Sequence, residues 1–177
     1  MASASNKEGC DKLINKISFS YKKMVTIRKA NISDSGEIFK LEKAWEKEKI
    51  NWGIFLPKDR EKELVKELRR NIFYVAEENG MILGFIEGEI IKAKRMKPSF
   101  EIKKGERYGE LHAVYVLKKF RGKKIGKLLI DRLFEDFSKE KVKRIVLKST
   151  SKDAWGLVNY YKKLGFEERL VDMVLKC

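Results

Sequence analysis

The chain has 177 residues, of which 43% are hydrophobic and 38% are charged. This length and composition predict one globular domain with its own core, and they argue against a disordered or fibrous protein. The net charge is +15, from 41 Lys and Arg against 26 Asp and Glu, so we expect an anionic partner: a nucleic acid, an acidic membrane surface or a polyphosphate ligand.

The N-terminal part of the chain predicts an extension, a strand and two helices. Residues 1–22 show no clear period and are expected to form a flexible extension, with residues 23–177 forming the single domain. Met24–Lys29 alternates enough for a first strand. Ser33–Glu37 is a helix-start signal. Apolar residues at helical spacing follow on both sides of Pro57: Ile38, Leu41 and Trp45, then Leu64, Val65 and Leu68.

The middle of the chain predicts a hairpin and a buried strand. Ile72–Ala76 and Met81–Ile91 are rich in β-forming residues, and Asn-Gly at positions 79 and 80 between them is a strong hairpin signal. Residues 92–109 interrupt this pattern with Pro98 and two glycines. Leu111–Leu117 is a nearly continuous apolar run, as expected of a strand that is buried on both faces.

The C-terminal part predicts two more helices and further strands. Ile145–Leu147 reads as a buried strand, and Asp153–Leu164 as a helix that Gly165 caps. Strands are expected around Phe166 and over Val171–Leu175. The other helix precedes Ile145–Leu147 and is predicted from five apolar positions: Ile125, Leu128, Leu129, Leu133 and Phe137. The order β-α-α-β-β-β-α-β-α-β describes a mixed α/β domain without repeats.

The cysteines and the histidine narrow the kinds of site that the chain can form. Cys10 and Cys177 stand near opposite ends, and His112 is the only histidine. Neither a disulfide framework nor a metal site is predicted, and a cytoplasmic location is expected. The first twenty residues contain no apolar stretch of the length that a signal sequence has, and no apolar run in the chain is long enough to span a membrane, so no membrane partner is predicted.

Residues 118–127, which we call the basic turn, have the features of an anion-binding site. They carry six basic residues and no acidic one, and they connect a predicted strand to a predicted helix. Such a turn places unpaired N–H groups at a positive helix N-terminus, which suits a pyrophosphate. A P-loop is excluded because three residues separate Gly122 from Gly126 and Leu128 follows Lys127, and the Gly-x-Gly-x-x-Gly fingerprint is absent. ATP and NAD sites are therefore not favoured.

The basic turn resembles the phosphate-binding motif of the GNAT superfamily of N-acetyltransferases, Arg/Gln-x-x-Gly-x-Gly/Ala. Arg121, Ile125 and Gly126 match it, whereas Lys124 replaces the first glycine. Val116 matches the valine that the family often has five residues before the Arg. The resemblance therefore supports the assignment of the basic turn to a phosphate site.

A second segment resembles the same family. Tyr160–Phe166 is similar to the Tyr-x-Lys-x-Gly-Phe segment on the family's last helix. Ala154 stands where the family often has Asn, seven residues before the tyrosine. The resemblance extends over roughly residues 24–176 and includes the order of the elements.

This resemblance implies a fold and a reaction. The fold is a mostly antiparallel twisted sheet of about six or seven strands flanked by helices. The reaction is transfer of an acetyl group from acetyl-CoA to a primary amine by direct attack in a ternary complex. The acceptor would be a protein N-terminus or lysine, including a ribosomal protein, or a small polyamine-like compound.

The resemblance also implies roles for individual residues. Main-chain groups of Val114 and Val116 would pair with the pantetheine arm of acetyl-CoA, and Tyr161 would be the general acid for the CoA sulfur. Tyr161 also lies on a helical stripe that is compatible with a purely structural place in the core. The candidate pyrophosphate ligands in the basic turn are Arg121, Gly122, Lys123, Lys124, Ile125, Gly126 and Lys127.

The candidates for the general base are Glu110 and His112. Either would accept the proton of the amine directly or through water, since a free amine has a pKa near ~10. A histidine in a strand is more often a hydrogen-bonded core residue, so both interpretations stay open for His112. Strand alternation predicts that Glu110 and His112 share a face with Val114 and Val116, opposite Leu111, Ala113 and Tyr115. Glu87 and Glu89 share a face of the preceding strand, where they would attract a cationic acceptor or simply be solvated.

Two basic segments outside the basic turn keep a second hypothesis open. Residues 1–23 carry a net charge of +3, and residues 92–107 carry +5. They predict either a non-catalytic or ribosome- or nucleic-acid-associated module of the same fold, or a Lys-rich surface typical of thermophilic proteins. No recognised nucleic-acid-binding motif accompanies them, so a nucleic-acid partner is not favoured. The oligomeric state is open, and a dimer is compatible with the sequence.

Overall fold

The fold was obtained as a computed structural model, which describes residues 25–48, 56–149 and 154–169. The predicted extension over residues 1–22 and the predicted strand Val171–Leu175 lie outside the described residues. None of the described helices is long and apolar enough to cross a membrane.

One five-stranded sheet forms the centre of the described structure, in the order β1-β2-β3-β4-β5. Neighbouring strands are antiparallel except β4 and β5, which are parallel. The strands are β1 (Thr26–Lys29), β2 (Ile72–Glu78), β3 (Met81–Lys92), β4 (Arg107–Val116) and β5 (Ile145–Leu147). The helices are α1 (Ser35–Glu48), α2 (Arg60–Arg70), α3 (Ile125–Lys139) and α4 (Ala154–Lys162). The predicted α/β class, with a mostly antiparallel sheet flanked by helices, is confirmed.

The described residues form five of the six or seven strands expected, since Val171–Leu175 lies outside them and the strand expected around Phe166 does not form. Phe166 N–H donates to the carbonyl of Tyr161 (3.1 Å), and Gly165 N–H donates to that of Lys162 (2.9 Å). Gly165 has a φ of 92°, so these bonds form the predicted glycine cap at the end of α4. The Phe166 ring packs 5.6 Å from that of Tyr161. Phe166 thus closes the helix instead of beginning a strand.

The predicted hairpin is confirmed at Asn79 and Gly80, which join β2 to β3. Their φ angles are 53° and 76°, the left-handed values that a tight two-residue hairpin turn requires. Glu78 pairs with Met81 across the turn. The hairpin thereby fixes the register of these two antiparallel neighbours at this end of the sheet.

Both faces of the sheet are buried, because helices lie on each side. Tyr74 and Ala76 of β2 pack in the cluster that includes the apolar residues of α3, whereas Phe73 and Val75 pack in the cluster that includes those of α1 and α2. This alternation explains why β2 and β3 read as continuous apolar runs in the sequence. We call the two sides the α3 face and the α1–α2 face.

Two local predictions about the helices need correction. The helix-start signal lies earlier than Ser33, because Asn31 accepts a bond from Ser33 N–H (2.9 Å) while Asp34 accepts one from Asn31 N–H (2.8 Å). This reciprocal cap opens a short 3-10 turn that leads into α1. In α3, Leu128 is 44% exposed and Ile130 takes the buried position, so the apolar stripe is rotated from the predicted one.

Candidate active site

The basic turn presents a row of free backbone N–H groups. Arg121 N–H donates to the carbonyl of Lys118 (3.2 Å), and Leu128 N–H is the first that bonds back into α3, to Lys124 O (3.0 Å). No side chain caps the start of α3. Within the described part of the chain, the N–H groups of residues 122–127 therefore remain available to an anion at the positive end of the helix.

Two residues of the basic turn have left-handed backbone conformations. Gly122 has a φ of 76° and Lys124 a φ of 64°. A non-glycine residue in this conformation costs roughly 1–2 kcal/mol relative to its right-handed form. Lys124 thus keeps the shape of the turn at a position where the resembled motif has glycine, and it does so under strain.

The side chain of Arg121 is fully engaged by protein atoms. Its Nε donates to the carbonyl of Val116 (2.9 Å), while Nη1 and Nη2 reach the two carboxylate oxygens of Glu48 at 2.8 and 2.9 Å. The guanidinium also lies over the ring of Tyr115, 5.4 Å from its centroid. The predicted phosphate ligand Arg121 therefore holds the turn in place with its side chain.

Glu48, at the end of α1, contacts the basic turn and is not among the residues that the sequence indicates. It accepts a further bond because Tyr115 Oη donates to its Oε1 (2.6 Å). Burial alone would raise the pKa of Glu48, but the hydrogen bonds from Arg121 and Tyr115 outweigh it and hold this pKa below the usual range. No spacing signal links Glu48 to Arg121, since 73 positions separate them.

One edge of β4 is open beside the basic turn. β5 pairs with β4 only over Gly109–Leu111, and the remainder of that edge has no partner strand in the described ranges. Leu117 N–H donates to Leu83 O of β3 (2.9 Å), so alternation along the antiparallel pair points the main-chain groups of Val114 and Val116 to the open edge. The carbonyl of Val116 already accepts the bond from Arg121 there, which leaves its N–H and both main-chain groups of Val114 for a ligand. An extended ligand can add there as a further strand.

Tyr161 lies in the same apolar cluster as Val116 and Ile125 and is 8% exposed. Burial raises its pKa to about 12, and the neighbouring Tyr160 adds to the effect. Its phenol therefore stays protonated throughout the neutral range, as a proton donor must. Both interpretations of the sequence, donor and core residue, are compatible with this placement.

Tyr160 is a second residue that the sequence reasoning missed. It is 37% exposed, and its hydroxyl lies 3.9 Å from the place that a Cβ atom on Gly126 would occupy. Val116 approaches the same place at 4.0 Å. The hydroxyl of Tyr160 therefore stands where the open edge of β4 meets the start of α3.

A bulge at His112 changes the predicted alternation of β4. Ala113 pairs with Glu87 and Leu111 with the next residue of β3, so His112 has no partner there. Leu111 consequently packs on the α3 face, while Ala113 packs on the α1–α2 face. The prediction that Leu111 and Ala113 share a face is wrong.

The same bulge moves Glu110 away from the face of Val114 and Val116. A Cβ atom on Gly109 would collide with the Phe137 ring of α3, at 2.7 Å, so Gly109 and Leu111 face α3. Glu110 lies between them in β4 and therefore faces the α1–α2 side. The predicted shared face of Glu110, Val114 and Val116 is wrong for this reason.

Three carboxylates and an imidazole meet on the α1–α2 face. Glu89 approaches His112, with 3.5 Å between Oε2 and Nε2, and both are about one-third exposed. Glu87 is 7% exposed and accepts a bond from Asn71 Nδ2 (2.7 Å). Burial raises the pKa of Glu87, although the Asn71 bond opposes the shift. With Glu110, these groups can attract an ammonium ion and accept its proton.

No metal site is evident in this arrangement. Over residues 25–48, 56–149 and 154–169, no group of three His, Cys, Asp or Glu side chains is placed to hold a metal ion.

Comparison with known proteins decides the family. Residues 38–166 match the acetyltransferase (GNAT) family, which is most of the chain. The chain belongs to this family. The basic turn lies within the matched range, and the assignment of its residues to the GNAT phosphate motif stays a prediction.

Relatives of this GNAT chain include one curated protein and several solved structures. An uncharacterized N-acetyltransferase of Methanocaldococcus jannaschii is 34% identical over 99 residues, which is 56% of this chain and 40% of the relative. The matched part thus spans less than half the length of that relative.

Two solved structures share the GNAT fold. The aminoglycoside N-acetyltransferase AAC(6')-Iy in complex with CoA has a TM-score of 0.69 at 18% identity, covering 89% of this chain and 97% of that one. A predicted acetyltransferase of Clostridium acetobutylicum, with acetyl-CoA bound, has a TM-score of 0.65 at 24% identity, covering 87% of this chain and 96% of that one. Both neighbours hold CoA or acetyl-CoA, which is the ligand expected for the basic turn.

Proposed function

We propose that this GNAT protein transfers the acetyl group of acetyl-CoA to a primary amine, either a protein N-terminus or lysine or a small polyamine-like compound. The observation that carries the proposal is the meeting of two features, the open edge of β4 at Val114 and Val116 and the free N–H groups of residues 122–127. An extended arm that ends in a pyrophosphate fits this pair of features.

The basic turn supplies the charge for the pyrophosphate. Because Glu48 neutralises Arg121, four exposed lysines of the basic turn are without an ion pair among the described residues: Lys118, Lys119, Lys123 and Lys124. Lys123 and Lys124 are the two that lie next to the start of α3. Lys127 forms an exposed pair with Asp131 (2.6 Å), which water weakens. Backbone N–H groups and these lysines would bind the phosphates together.

Acetyl-CoA, when bound, supplies an acetyl group on a thioester whose C–S bond breaks as the new C–N bond forms. The amine must first lose a proton so that its nitrogen carries a lone pair. We assign this step to Glu110 or His112, directly or through water, on the carboxylate-rich α1–α2 face. The nitrogen then attacks the carbonyl carbon in a ternary complex, without an acetylated enzyme.

Tyr161 completes the proton balance by donating its phenolic proton to the departing sulfur. The phenol is protonated at neutral pH because burial raises its pKa to about 12. The general base then releases the amine proton to solvent, and Tyr161 takes up a proton from solvent. Both groups thereby return to their starting protonation states. We keep Tyr161 as the proposed acid, with Tyr160 as the nearest alternative because its hydroxyl reaches the same edge.

The charges near the site support an acceptor that is a cationic amine. Glu87, Glu89 and Glu110 favour a cationic amine. The solved neighbour AAC(6')-Iy is by its name an aminoglycoside N-acetyltransferase, which acts on an amine-bearing compound.

A reducing cytoplasm, inferred from the two distant cysteines, stays a prediction.

The test measures release of the CoA thiol from acetyl-CoA with a panel of acceptors. The panel contains peptides with free N-termini, peptides with internal lysines, linear polyamines and an aminoglycoside. We expect turnover with at least one class and a mass gain of one acetyl group on its amine. Tight acetyl-CoA binding without turnover on any amine would favour the non-catalytic module.

A further inference from the structure

Residues 92–107, which we call the basic arm, form an ordered extension of the sheet. Ala93 N–H donates to Glu106 O (2.8 Å), and Gly105 N–H donates back to Ala93 O (2.7 Å). Further out, Lys97 and Ile102 exchange backbone bonds of 2.8 and 3.2 Å. The basic arm thus extends the β3–β4 pair as a hairpin, and its charges have defined positions.

A small apolar core fixes the basic arm against β5. Ala93, Ile102 and Tyr108 are almost fully buried with Val146 of β5. Lys97 closes this core because its Nζ lies over the Tyr108 ring, 4.4 Å from the centroid, and donates to the Tyr108 hydroxyl (2.5 Å). The basic arm is therefore held beside residues 139–144, which comprise the last residue of α3 and the connection to β5.

The two segments meet in a second concentration of positive charge. Residues 139–144 carry four basic side chains and one acidic one, a net charge of +3 beside the +5 of the basic arm. A groove of about 720 Å³ runs between them, which we call the basic groove. Its lining residues are Glu101, Lys103, Glu106, Arg107, Glu140, Lys141, Lys143 and Arg144.

The acidic side chains of the basic groove are already engaged. Glu140 pairs with Arg107 (2.9 Å), and Glu101 pairs with both Arg144 (3.2 Å) and Arg169 (3.1 Å). Glu106 accepts a bond from the backbone N–H of Lys103 (2.9 Å). Two of the three carboxylates are therefore neutralised by arginines, and the third, Glu106, is bound by a backbone N–H group and forms no ion pair among the described residues.

Three lysines of the basic groove have no acidic partner. Lys103, Lys141 and Lys143 are all exposed, and none forms an ion pair within the described ranges. Lys94 and Lys104 of the basic arm add two more exposed cations in the same condition. The groove is thus a place where several ammonium groups converge without compensation.

We propose that the basic groove binds the phosphodiester backbone of a nucleic acid, as a surface separate from the acetyl-CoA site. Unpaired, flexible lysines suit a diffuse row of phosphates, since each neutralised phosphate releases counterions. The inference does not depend on acetyl transfer, because no residue of the basic turn or of the carboxylate-rich face contributes to it.

A thermophilic surface and a membrane-binding surface fit the basic groove less well than a nucleic-acid site does. A thermophilic surface enriches Lys together with Glu in ion-pair networks, whereas the three groove lysines lack acidic partners among the described residues. A membrane surface is flat and favours apolar side chains beside the lysines. Charged residues alone line the basic groove, so it offers no apolar side chain to a bilayer.

The experiment uses the full chain and fluorescence anisotropy with a labelled 20-nucleotide single-stranded RNA and with the DNA of the same sequence. Saturating acetyl-CoA is present, so that the basic turn is blocked. The test variant is Lys103→Gln/Lys141→Gln/Lys143→Gln. The matched control, Lys40→Gln/Lys62→Gln/Lys66→Gln, removes the same charge from exposed lysines of α1 and α2.

We expect salt-dependent binding of the unmodified protein to at least one of the two strands. Loss of three phosphate contacts should weaken binding about 100-fold at about 0.1 M salt and reduce the slope of log K against log salt by about 2. The control variant should retain its affinity within about 3-fold. Equal affinity for RNA and DNA would identify the shared phosphodiester backbone as the ligand. Higher affinity for RNA would show that the protein also contacts the 2′-hydroxyl groups.

Three outcomes would overturn the proposal. The first is equal affinity of the test and control variants. The second is nucleic-acid binding in a parallel titration without acetyl-CoA that disappears when acetyl-CoA is present. The third is binding only to vesicles rich in anionic phospholipid, which are titrated in place of the nucleic acid. Acetyl transfer to a small amine by the test variant is measured in parallel. Failure of the proposed enzymatic function would appear there and would leave the result for the basic groove unaffected.

Discussion

Arg121 and Glu48 form a two-pronged ion pair, with distances of 2.8 and 2.9 Å, that joins the basic turn to the end of α1. The pair is half-buried, and Tyr115 shares it through a hydroxyl bond to Glu48. Because the same guanidinium holds the carbonyl of Val116, one side chain connects α1, the last residue of β4 and the turn that follows. The position of the free N–H groups in the basic turn therefore depends on a residue outside the GNAT motif.

Replacing Glu48 should weaken acetyl-CoA binding without affecting the chemical step. Glu48→Gln keeps the shape of the side chain but removes the charge that orients Arg121. We expect the KM for acetyl-CoA to rise about 5-fold, equivalent to ~1 kcal/mol, with kcat nearly unchanged.

The control for Glu48 is Glu135→Gln, which removes a carboxylate from an exposed ion pair with Arg132. Its KM should equal that of the unmodified protein. The reversed pair Glu48→Arg/Arg121→Glu should recover part of the affinity that Arg121→Glu alone loses. An unchanged KM in Glu48→Gln would show that the turn holds its shape without the pair.

Much of this architecture follows from local sequence patterns. The helices are recovered from apolar spacing, and the hairpin from Asn79-Gly80, because short-range chemistry fixes both. The bulge at His112 is different, since it arises from a mismatch in length between β3 and β4 that neither strand shows alone. That mismatch reverses the face of Glu110 and so alters the set of groups around the candidate base.

Contacts between segments that lie far apart in the chain could not be predicted from the sequence either. Glu48 reads as one more charged residue near the end of an amphipathic helix, and nothing in its spacing indicates Arg121 as its partner. Glu140 and Arg107 pair for reasons visible only once β4 and α3 are packed. The sequence pattern locates the phosphate motif because it is continuous in the chain, and it misses the residues that support that motif from elsewhere.

Lys124 should be a position where stability and ligand affinity oppose each other. Lys124→Gly relieves the left-handed strain at φ 64° and should stabilise the protein by ~1 kcal/mol, which raises Tm by about 2–4 °C. The change also removes an exposed cation beside the proposed pyrophosphate site, so acetyl-CoA affinity should fall a few-fold. Thermal unfolding with and without acetyl-CoA measures both effects.

Lys123→Gly is the matched control for Lys124, because it removes a neighbouring lysine whose φ is not left-handed. It should lower affinity without raising Tm. If Lys124→Gly destabilised the protein, the strain assigned to Lys124 would be absent.

Tyr161→Phe should reduce kcat by about 10²-fold or more, the lower range of general acid catalysis, with a smaller effect on acetyl-CoA affinity. The pKa of Tyr161 is raised to about 12, so loss of its proton should not limit the rate of the unmodified enzyme up to about pH 10. Measuring kcat as a function of pH, from neutral to about pH 10, tests whether the rate stays independent of the Tyr161 proton.

Tyr160→Phe distinguishes the two neighbouring phenols. It should leave kcat within a few-fold of the unmodified enzyme if Tyr161 is the acid. The opposite result, a large loss in Tyr160→Phe and none in Tyr161→Phe, would transfer the role to the more exposed tyrosine.

The contribution of Glu87 to the free energy of unfolding should fall as pH rises. Burial raises its pKa above the ordinary value of 4.5, so the folded state binds this proton more tightly than the unfolded state does. Unfolding then releases a proton, and the free energy of unfolding falls with pH between about 4.5 and the raised pKa of the folded state. Above that window the buried carboxylate is ionised and the stability contributed by its proton has been lost.

Glu87→Gln removes this titration and keeps an amide that can bond to Asn71. The difference in stability between the variant and the unmodified protein should therefore move in favour of the variant as pH rises from 4 to 7. Urea unfolding at several pH values measures this difference. Asp34, Glu48 and Asp136 have pKa values that are lowered in the folded state, so they make the protein more stable as pH rises. Because both proteins contain these three residues, their contributions cancel in the difference. A difference that stays constant over this range would mean that Glu87 titrates as an exposed carboxylate does, and its place as a buried neighbour of His112 would have to be withdrawn.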